Sequence, residues 1–274
     1  MKKILKWVGG IFLALIVIGM FAGKDEANNN EQANEQSGNK SQSVSNSTSA
    51  IKLSDNEMVA LQAMVNDTIK SSLNGGTKSQ DYGYLPVTAQ EMFKVYSANE
   101  ARGDKMFKDK KIIISGTIES ISSSIGDIPV VSLKSGDMIR MVHVDFARKY
   151  RDLAADLNKN QKVSFACVGG TVVIGMPSVK ECKPIDAVVA ELAKEKMSGL
   201  NQFIKNPKKD DNENIKLLTI TRLSSKATND FQSCKPDNLP CIAKQIDAYG
   251  KGKDLKVEFQ TIKSELGLEA PTEK

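Results

Sequence analysis

The amino-acid sequence predicts an α+β protein. At its centre stands a five-stranded β-barrel with flanking helices, preceded by an N-terminal transmembrane helix and a flexible linker. Three observations carry this expectation. A lysine-flanked apolar run opens the chain, a stretch of low complexity follows it, and after residue 111 the hydrophobic period changes from helical to two-residue. The 274 residues, 40% hydrophobic and 26% charged, suffice for one or two cored domains and exclude collagen-like, coiled-coil and polytopic membrane classes. Net charge is +5, from 38 Lys+Arg against 33 Asp+Glu, far from the dense basic surface of a dedicated nucleic-acid binder. The single histidine, His143, excludes His-based multi-ligand metal sites.

Lys2, Lys3 and Lys6 precede the uncharged run Trp7–Gly23, and Asp25 and Glu26 follow it. Counted from Ile4 with Lys6 snorkelling, the run reaches the roughly 20 residues that span the hydrocarbon of a bilayer. The lysines stay cytoplasmic by the positive-inside rule, so the expectation is a single-pass anchor in the cytoplasmic membrane with the C-terminal part extracytoplasmic. A cleaved signal peptide is the rival, with Ala22 at −1 but Met20 at −3, a poor fit to the small-residue rule. No Cys follows the run to take a lipid. In residues 24–50, Asn, Ser and Gln fill 15 of 27 positions, and Val44 is the only large apolar residue. Such a segment cannot bury enough surface to offset its ordering entropy and reads as a tether.

Residues 51–87 are expected to form a helix and a loop. Ser54 and Glu57 make a capping-box pattern, Met58, Leu61, Val65 and Ile69 a helical stripe, and Gly75-Gly76 a stop. Residues 77–87 read as a loop. Thr88 and Glu91 form a second capping box, opening a helix that carries Met92, Phe93, Tyr96 and Asn99 and ends near Gly103. From Lys111, Ile112, Ile114 and Ile118 share one strand face with Gly116 between them, a glycine that suits a sharp bend. Ser122–Asp127 is a turn, Pro129–Leu133 a second strand, and Met138–Phe146 a third with Val142, Val144 and Phe146 on one face. Ala147–Leu157 is expected as a helix with Tyr150, Leu153 and Leu157 in register. Gln161–Val173 and Pro177–Lys183 are the last two strands.

Three strands, a helix and two strands is the order of an OB-fold, a five-stranded barrel with its helix between the third and fourth strands. Thr88–Pro184, 97 of the 274 residues, resembles the tRNA-anti-like OB-fold family of bacterial envelope proteins. The matching pieces are TAQEMFKVYSANEARGDKMFKDK, KIIISGTIESI, MVHVDF, NKNQKVSFACVGG and VKECKP. The resemblance carries no catalytic signature. It implies a fold, and fold does not transfer function. Asn46-Ser-Thr48 and Asn66-Asp-Thr68 match a glycosylation acceptor by chance and are set aside against a bacterial resemblance.

The four cysteines, Cys167, Cys182, Cys234 and Cys241, include no C-x-x-C pair. In an oxidising extracytoplasmic space, proximity gives the disulfides Cys167–Cys182 and Cys234–Cys241; four reduced thiols is the alternative. Cys167 and Cys182 are symmetric about the Ile174–Gly175 bond, so a hairpin turning there sets them opposite each other. Gly169-Gly170 is then a kink or bulge in a long strand.

Residues 185–274 are expected as a helical or mixed region. Ile185, Val188, Val189, Leu192, Met197, Leu200 and Ile204 make an amphipathic helix, and residues 206–212 a polar linker. Residues 215–223 suit a helix or a strand. Cys234–Cys241 is a Pro-rich loop, and the alternation of Leu255, Val257 and Phe259 favours a strand.

His143 and Asp145, two apart on one strand face, form an acid–base or metal pair or simply a solvent-side histidine; one His with one carboxylate closes no metal site. Arg148, Lys149 and Arg151 form either an anion-binding patch or a solvated face. Residues 88–184 hold 15 Lys+Arg and 11 Asp+Glu. Single-strand binders stack bases on sheet aromatics. Here the first two strands have none, and Phe146 and Phe165 fall on core faces. No Walker, G-x-S-x-G, H-E-x-x-H or EF-hand pattern is present. The expectation is a non-enzymatic, membrane-tethered binding module of the cell envelope, without cofactor or metal. Its partners would be the cytoplasmic membrane, through the N-terminal helix, and an envelope protein, peptide or glycan. A nucleic-acid binder using the basic helix 148–151 is the alternative, and an unrecognised hydrolase a third.

Overall fold

A computed structural model describes residues 50–74, 77–124, 126–208 and 210–268; the expected anchor at 1–23 and all but the last residue of the 24–50 linker lie outside them. Among the described residues no helix is long and apolar enough to cross a membrane. The fold is mixed α+β and divides into two compact units, Asn66–Glu195 and Met1–Val65 together with Lys196–Lys274. Helix α1 (Asp55–Asn74) opens on the expected capping box. The Glu57 amide donates to Ser54 Oγ at 3.2 Å, and the Ser54 amide to Glu57 Oε2 at 2.8 Å.

The Asn66–Glu195 unit holds strands β1 (Leu85–Thr88), β2 (Lys111–Ser124), β3 (Ile128–Lys134), β4 (Met141–Phe146), β5 (Lys162–Val173) and β6 (Met176–Pro184). It also holds helices α2 (Ala89–Ala98) and α3 (Glu100–Phe107). The six strands make one sheet in the order β1-β2-β3-β4-β6-β5, and a further β2–β5 pairing closes five of them into a ring. Strand β2 serves two partners along its length. Residues 111–117 pair antiparallel with β5, and residues 118–124 pair antiparallel with β3. β4 and β6 run parallel, and β1 is added outside the ring, parallel to β2. Inside lie Ile112, Ile114, Ile118, Val131, Leu133, Val142, Val144, Phe146, Phe165 and Val179, none more than 6% exposed. A Cβ on Gly116 would come 3.2 Å from Ala89 Cβ and from Leu133 Cδ1, so the core closes on this glycine.

The last hairpin turns at Ile174-Gly175, both with positive φ. The bulge on β5 falls at Gly170-Thr171, one residue beyond the expected Gly169-Gly170: Gly169 still pairs with Val179, and the pairing resumes at Val172 with the register shifted. The structure joins Cys167 to Cys182, with sulfurs 2.10 Å and Cα atoms 4.1 Å apart.

Several elements differ from expectation. The 77–87 loop contains a 3-10 segment, Thr77–Tyr82, and then β1, too short for alternation to reveal; Pro86 fits because β1 is an edge strand. The helix expected to end near Gly103 breaks at Asn99, whose Oδ1 accepts the Arg102 amide at 3.0 Å and starts α3. Ala147–Leu157 is not an α-helix but a 3-10 segment, Arg148–Asp156, with Tyr150 N–H donating to Ala147 O at 2.7 Å. The three-residue step from Tyr150 to Leu153 suits that tighter period. Residues 138–140 are loop, and β4 begins at Met141.

The β6–α4 junction falls at Pro184/Ile185, where α4 (Ile185–Lys205) begins. In the second unit, residues 215–223 are helical, within α5 (Asn212–Ala227). α5 is buried deeply enough that Thr219, Thr221 and Ser224 donate to their own helix carbonyls. Arg222 meets the buried Glu57 carboxylate at 2.6 Å. Cys234 and Cys241 are joined, and Cys241 lies in the first turn of α6 (Leu239–Tyr249) rather than in a loop. The strand expected at Leu255–Phe259 is helix α7 (Leu255–Glu265): Phe259 and Ile262, three apart, are buried, whereas Val257 is 62% exposed. A strand face would have buried Val257 beside Phe259.

Candidate binding face

Strand β4 divides its side chains between the two sides of the ring. Val142, Val144 and Phe146 point inward, while Met141, His143 and Asp145 are half-exposed outside. His143 lies opposite Ser132 on β3 and beside Ser178 on β6, giving a row across three strands. Ser132 Oγ and His143 Nδ1 are 3.1 Å apart. Ser178 Oγ instead donates to Thr171 O at 2.8 Å. His143 and Asp145, two residues apart along a strand, have Cα atoms separated by about 6.7 Å. Burial raises the Asp145 carboxyl pKa, and the charges of His143 and Arg151 oppose the rise. Ser132, the hydroxyl beside the imidazole, is 3% exposed, so an incoming substrate would not reach it. A nucleophile must be reachable as well as paired with a base, and the Ser132 hydroxyl meets only the second condition.

The basic segment does not converge. Arg148 and Lys149 are exposed, and Lys149 Nζ sits 5.3 Å over the neighbouring Tyr150 ring. Arg151 is half-buried, and its charge acts on Asp145, so the third member of the expected patch is less open to a ligand than the other two. Phe146 and Phe165 pack edge to face inside the ring, with centroids 5.0 Å apart. Among the described residues no three His, Cys, Asp or Glu side chains gather to hold a metal.

Sequence reasoning missed the end of the ring where β3 leads to β4 and β5 turns into β6. Met138 is fully exposed, Ile139 79%, Ile174 87% and Val173 56%. The two loops are adjacent, since a Cβ on Gly175 would lie 3.7 Å from Arg140 Cδ. Ile139 and Arg140 donate their amides to Asp137 Oδ1 at 2.9 and 2.8 Å, and the Arg140 guanidinium meets the same carboxylate at 3.0 Å. These contacts, the two amides first, hold the Asp137 pKa at about 2. Ile174-Gly175 supplies one visible signal: a glycine turn whose other member is β-branched.

Fold and face together define an α+β protein built on a ring-like six-stranded sheet, with a half-exposed, mixed polar and apolar outer surface. The chain belongs to the tRNA_anti-like family, whose model matches residues 1–183. Among solved structures it is similar to a "putative nucleic acid-binding lipoprotein" from Klebsiella pneumoniae, with 14% identity and a TM-score of 0.31, over 39% of this chain and 96% of that one. No curated protein matches.

Proposed function

We propose that the chain is a membrane-tethered, non-enzymatic binding module of the bacterial cell envelope, and that its ring is an OB-fold barrel. One observation carries the barrel reading. The pairing order β2-β3-β4-β6-β5, returning to β2 with β4 and β6 parallel, is the OB order with β1 added at its edge. The two disulfides suit an oxidising, extracytoplasmic compartment. The ligand is a protein, peptide or glycan received on the outer face of β3, β4 and β6, where the half-exposed His143, held by the buried Ser132, offers a hydrogen bond beside the half-exposed Val130 and Met141.

Exposed Arg148 and Lys149 favour the second reading, a nucleic-acid binder. Against it stand the inward-facing Phe146 and Phe165, which leave the ring strands no outer stacking platform. A labelled single-stranded oligonucleotide titrated with the full chain in detergent, by fluorescence anisotropy at low and physiological salt, separates the two. The module reading expects weak binding that vanishes as salt rises. A sub-micromolar dissociation constant that survives physiological salt, and weakens on changing Arg148, Lys149 and Arg151 to Ala, would replace it with the second.

A further inference from the structure

The apolar loop tips are the largest feature that the proposed binding face leaves unused. Met138, Ile139, Val173 and Ile174 stand 100%, 79%, 56% and 87% exposed on two adjacent loops, Val173 being the last residue of β5. Ile174 makes the case sharper, because its φ is 51°. A β-branched residue is an outlier in that region, where Asn, Asp or Gly would sit without strain and would favour water. Folding alone therefore gains nothing from an isoleucine there, and strain kept at an exposed site points to a use outside the fold.

We propose that these two loops dip into the surface of the bilayer in which the chain is anchored. The proposal rests on the reading of residues 7–23 as an anchor. Three properties favour lipid over a protein partner. The four exposed tips are all aliphatic or thioether, without the Tyr or Trp anchors that concentrate the energy of protein interfaces, and the adjacent Arg140 is already engaged by Asp137.

The second property is the loop's hydrogen bonding. A segment entering an apolar phase must satisfy its own backbone. Asp137 takes the amides of Ile139 and Arg140, Ser135 Oγ takes the Asp137 amide at 3.1 Å, and the same hydroxyl donates to Arg140 O. The Asp137 carboxylate is neutralised at 3.0 Å by Arg140, whose stem lies alongside Gly175 at the base of both loops. That placement sets the one charged pair at headgroup level while the apolar tips go deeper.

The third is reach. The 27 residues of the expected tether give a root-mean-square span of roughly 30 Å, which keeps the folded part near the bilayer and raises the effective concentration of a weakly inserting surface. Four aliphatic tips need no high affinity under that condition.

The test uses the full chain in proteoliposomes. Trp7, the only tryptophan, is changed to Phe, and single tryptophans are placed by Met138→Trp, Ile174→Trp and, as a control, Ser124→Trp at the end of β2, paired with the first residue of β3 and so at the end of that strand away from Met138. Lipids brominated at shallow and deep acyl positions report depth. The expected result is a blue-shifted emission at 138 and 174 that shallow bromines quench strongly, consistent with a depth of about 5–10 Å below the headgroup boundary, with 124 unquenched. A chain that floats with the vesicles while 138 and 174 emit as in water overturns this proposal alone, and leaves the tips to a protein or glycan. Equal quenching at all three positions overturns it as well. A chain that stays out of the vesicle fraction overturns both this proposal and the anchor reading.

Discussion

Gly169 offers the sharpest test of how the ring is built. Its φ is not positive, so backbone conformation gives no reason for a glycine. The reason is contact: a Cβ there would stand 1.9 Å from Phe107 O and 2.7 Å from Phe107 C, both backbone atoms with no rotamer to retreat into. The Gly169 amide donates to Lys110 O at 2.9 Å, and the Asp109 amide to Gly169 O at 3.0 Å, so the strand is tied to the 107–110 segment at this point. A carbon against a carbonyl oxygen needs about 3.3 Å. Gly169→Ala must therefore part the two backbones by more than about 1 Å, which breaks both hydrogen bonds. Their loss costs about 1–3 kcal/mol, and the overpacking costs about 1–3 kcal/mol more. Gly199, in the exposed middle of α4 with open space around it, is the matched opposite. Gly199→Ala should stabilise by about 0.5–1 kcal/mol. Urea unfolding of the full chain in detergent, followed by circular dichroism, reads both as shifts of the midpoint. A Gly169→Ala change within about 0.5 kcal/mol of the parent would refute the close approach.

Three further outcomes are expected. Replacing Cys167 and Cys182 by Ala should cost about 3 kcal/mol, because the bridge closes a loop of 15 residues; free thiols at both positions in protein from the envelope would show that the bond does not form there. Asp137 has a folded pKa held at about 2, below its ordinary 3.8, so its stabilising contribution is complete above pH 4 and disappears as pH falls toward 2. The stability gap between the parent and Asp137→Asn should close over that window, and a gap that persists at pH 2 would contradict the assignment. The anchor reading expects the chain to resist carbonate extraction and its folded part to be digested by protease added to spheroplasts; release by carbonate would contradict it.

The fold was legible where one face of an element is buried and the other wet. β4 alternates cleanly, and in β2 the two-residue step from Ile112 to Ile114 picks out one face; the inward residues Ile112, Ile114, Val142 and Val144 could be named from period, and all are fully buried, although Ile113 between them is buried as well. The rule failed where burial is one-sided but the run is short. Leu255, Val257 and Phe259 alternate, yet the same segment offers Phe259 and Ile262 three apart, and tertiary packing chose the helix. It failed again at Met138-Ile139, where apolar residues continue a strand pattern without being in the strand. The candidate face was half legible for the same reason. The outward placement of His143 and Asp145 follows from alternation, whereas the half-burial of Arg151, near enough for its charge to act on Asp145, depends on a 3-10 segment whose apolar spacing resembles a helix.

The disulfide register holds even though the hairpin is irregular, and the reason is structural. Symmetry about Ile174–Gly175 assumes an unbroken hairpin, but the ladder slips by one residue at Gly169/Val172 and again at Ala166/Val168. The first slip puts an extra residue on β5, the second an extra residue, Glu181, on β6, with φ at 53°. The two cancel, so Phe165 again faces Pro184 as the symmetric count requires. The cancellation follows from burial. Val179 and Cys182 are both fully buried although they are three apart, and a regular strand would send one of them out to solvent. The left-handed Glu181 turns Cys182 back into the core, where Cys167 on β5 already faces. Inward burial of both cysteines thus demands the second bulge once the first exists. Glu181→Gly should be tolerated or mildly stabilising, because glycine adopts a positive φ without strain. Glu181→Val, β-branched at the same φ, should destabilise the hairpin by about 1–2 kcal/mol; equal stability of the two variants in urea unfolding would show that the second bulge is absent.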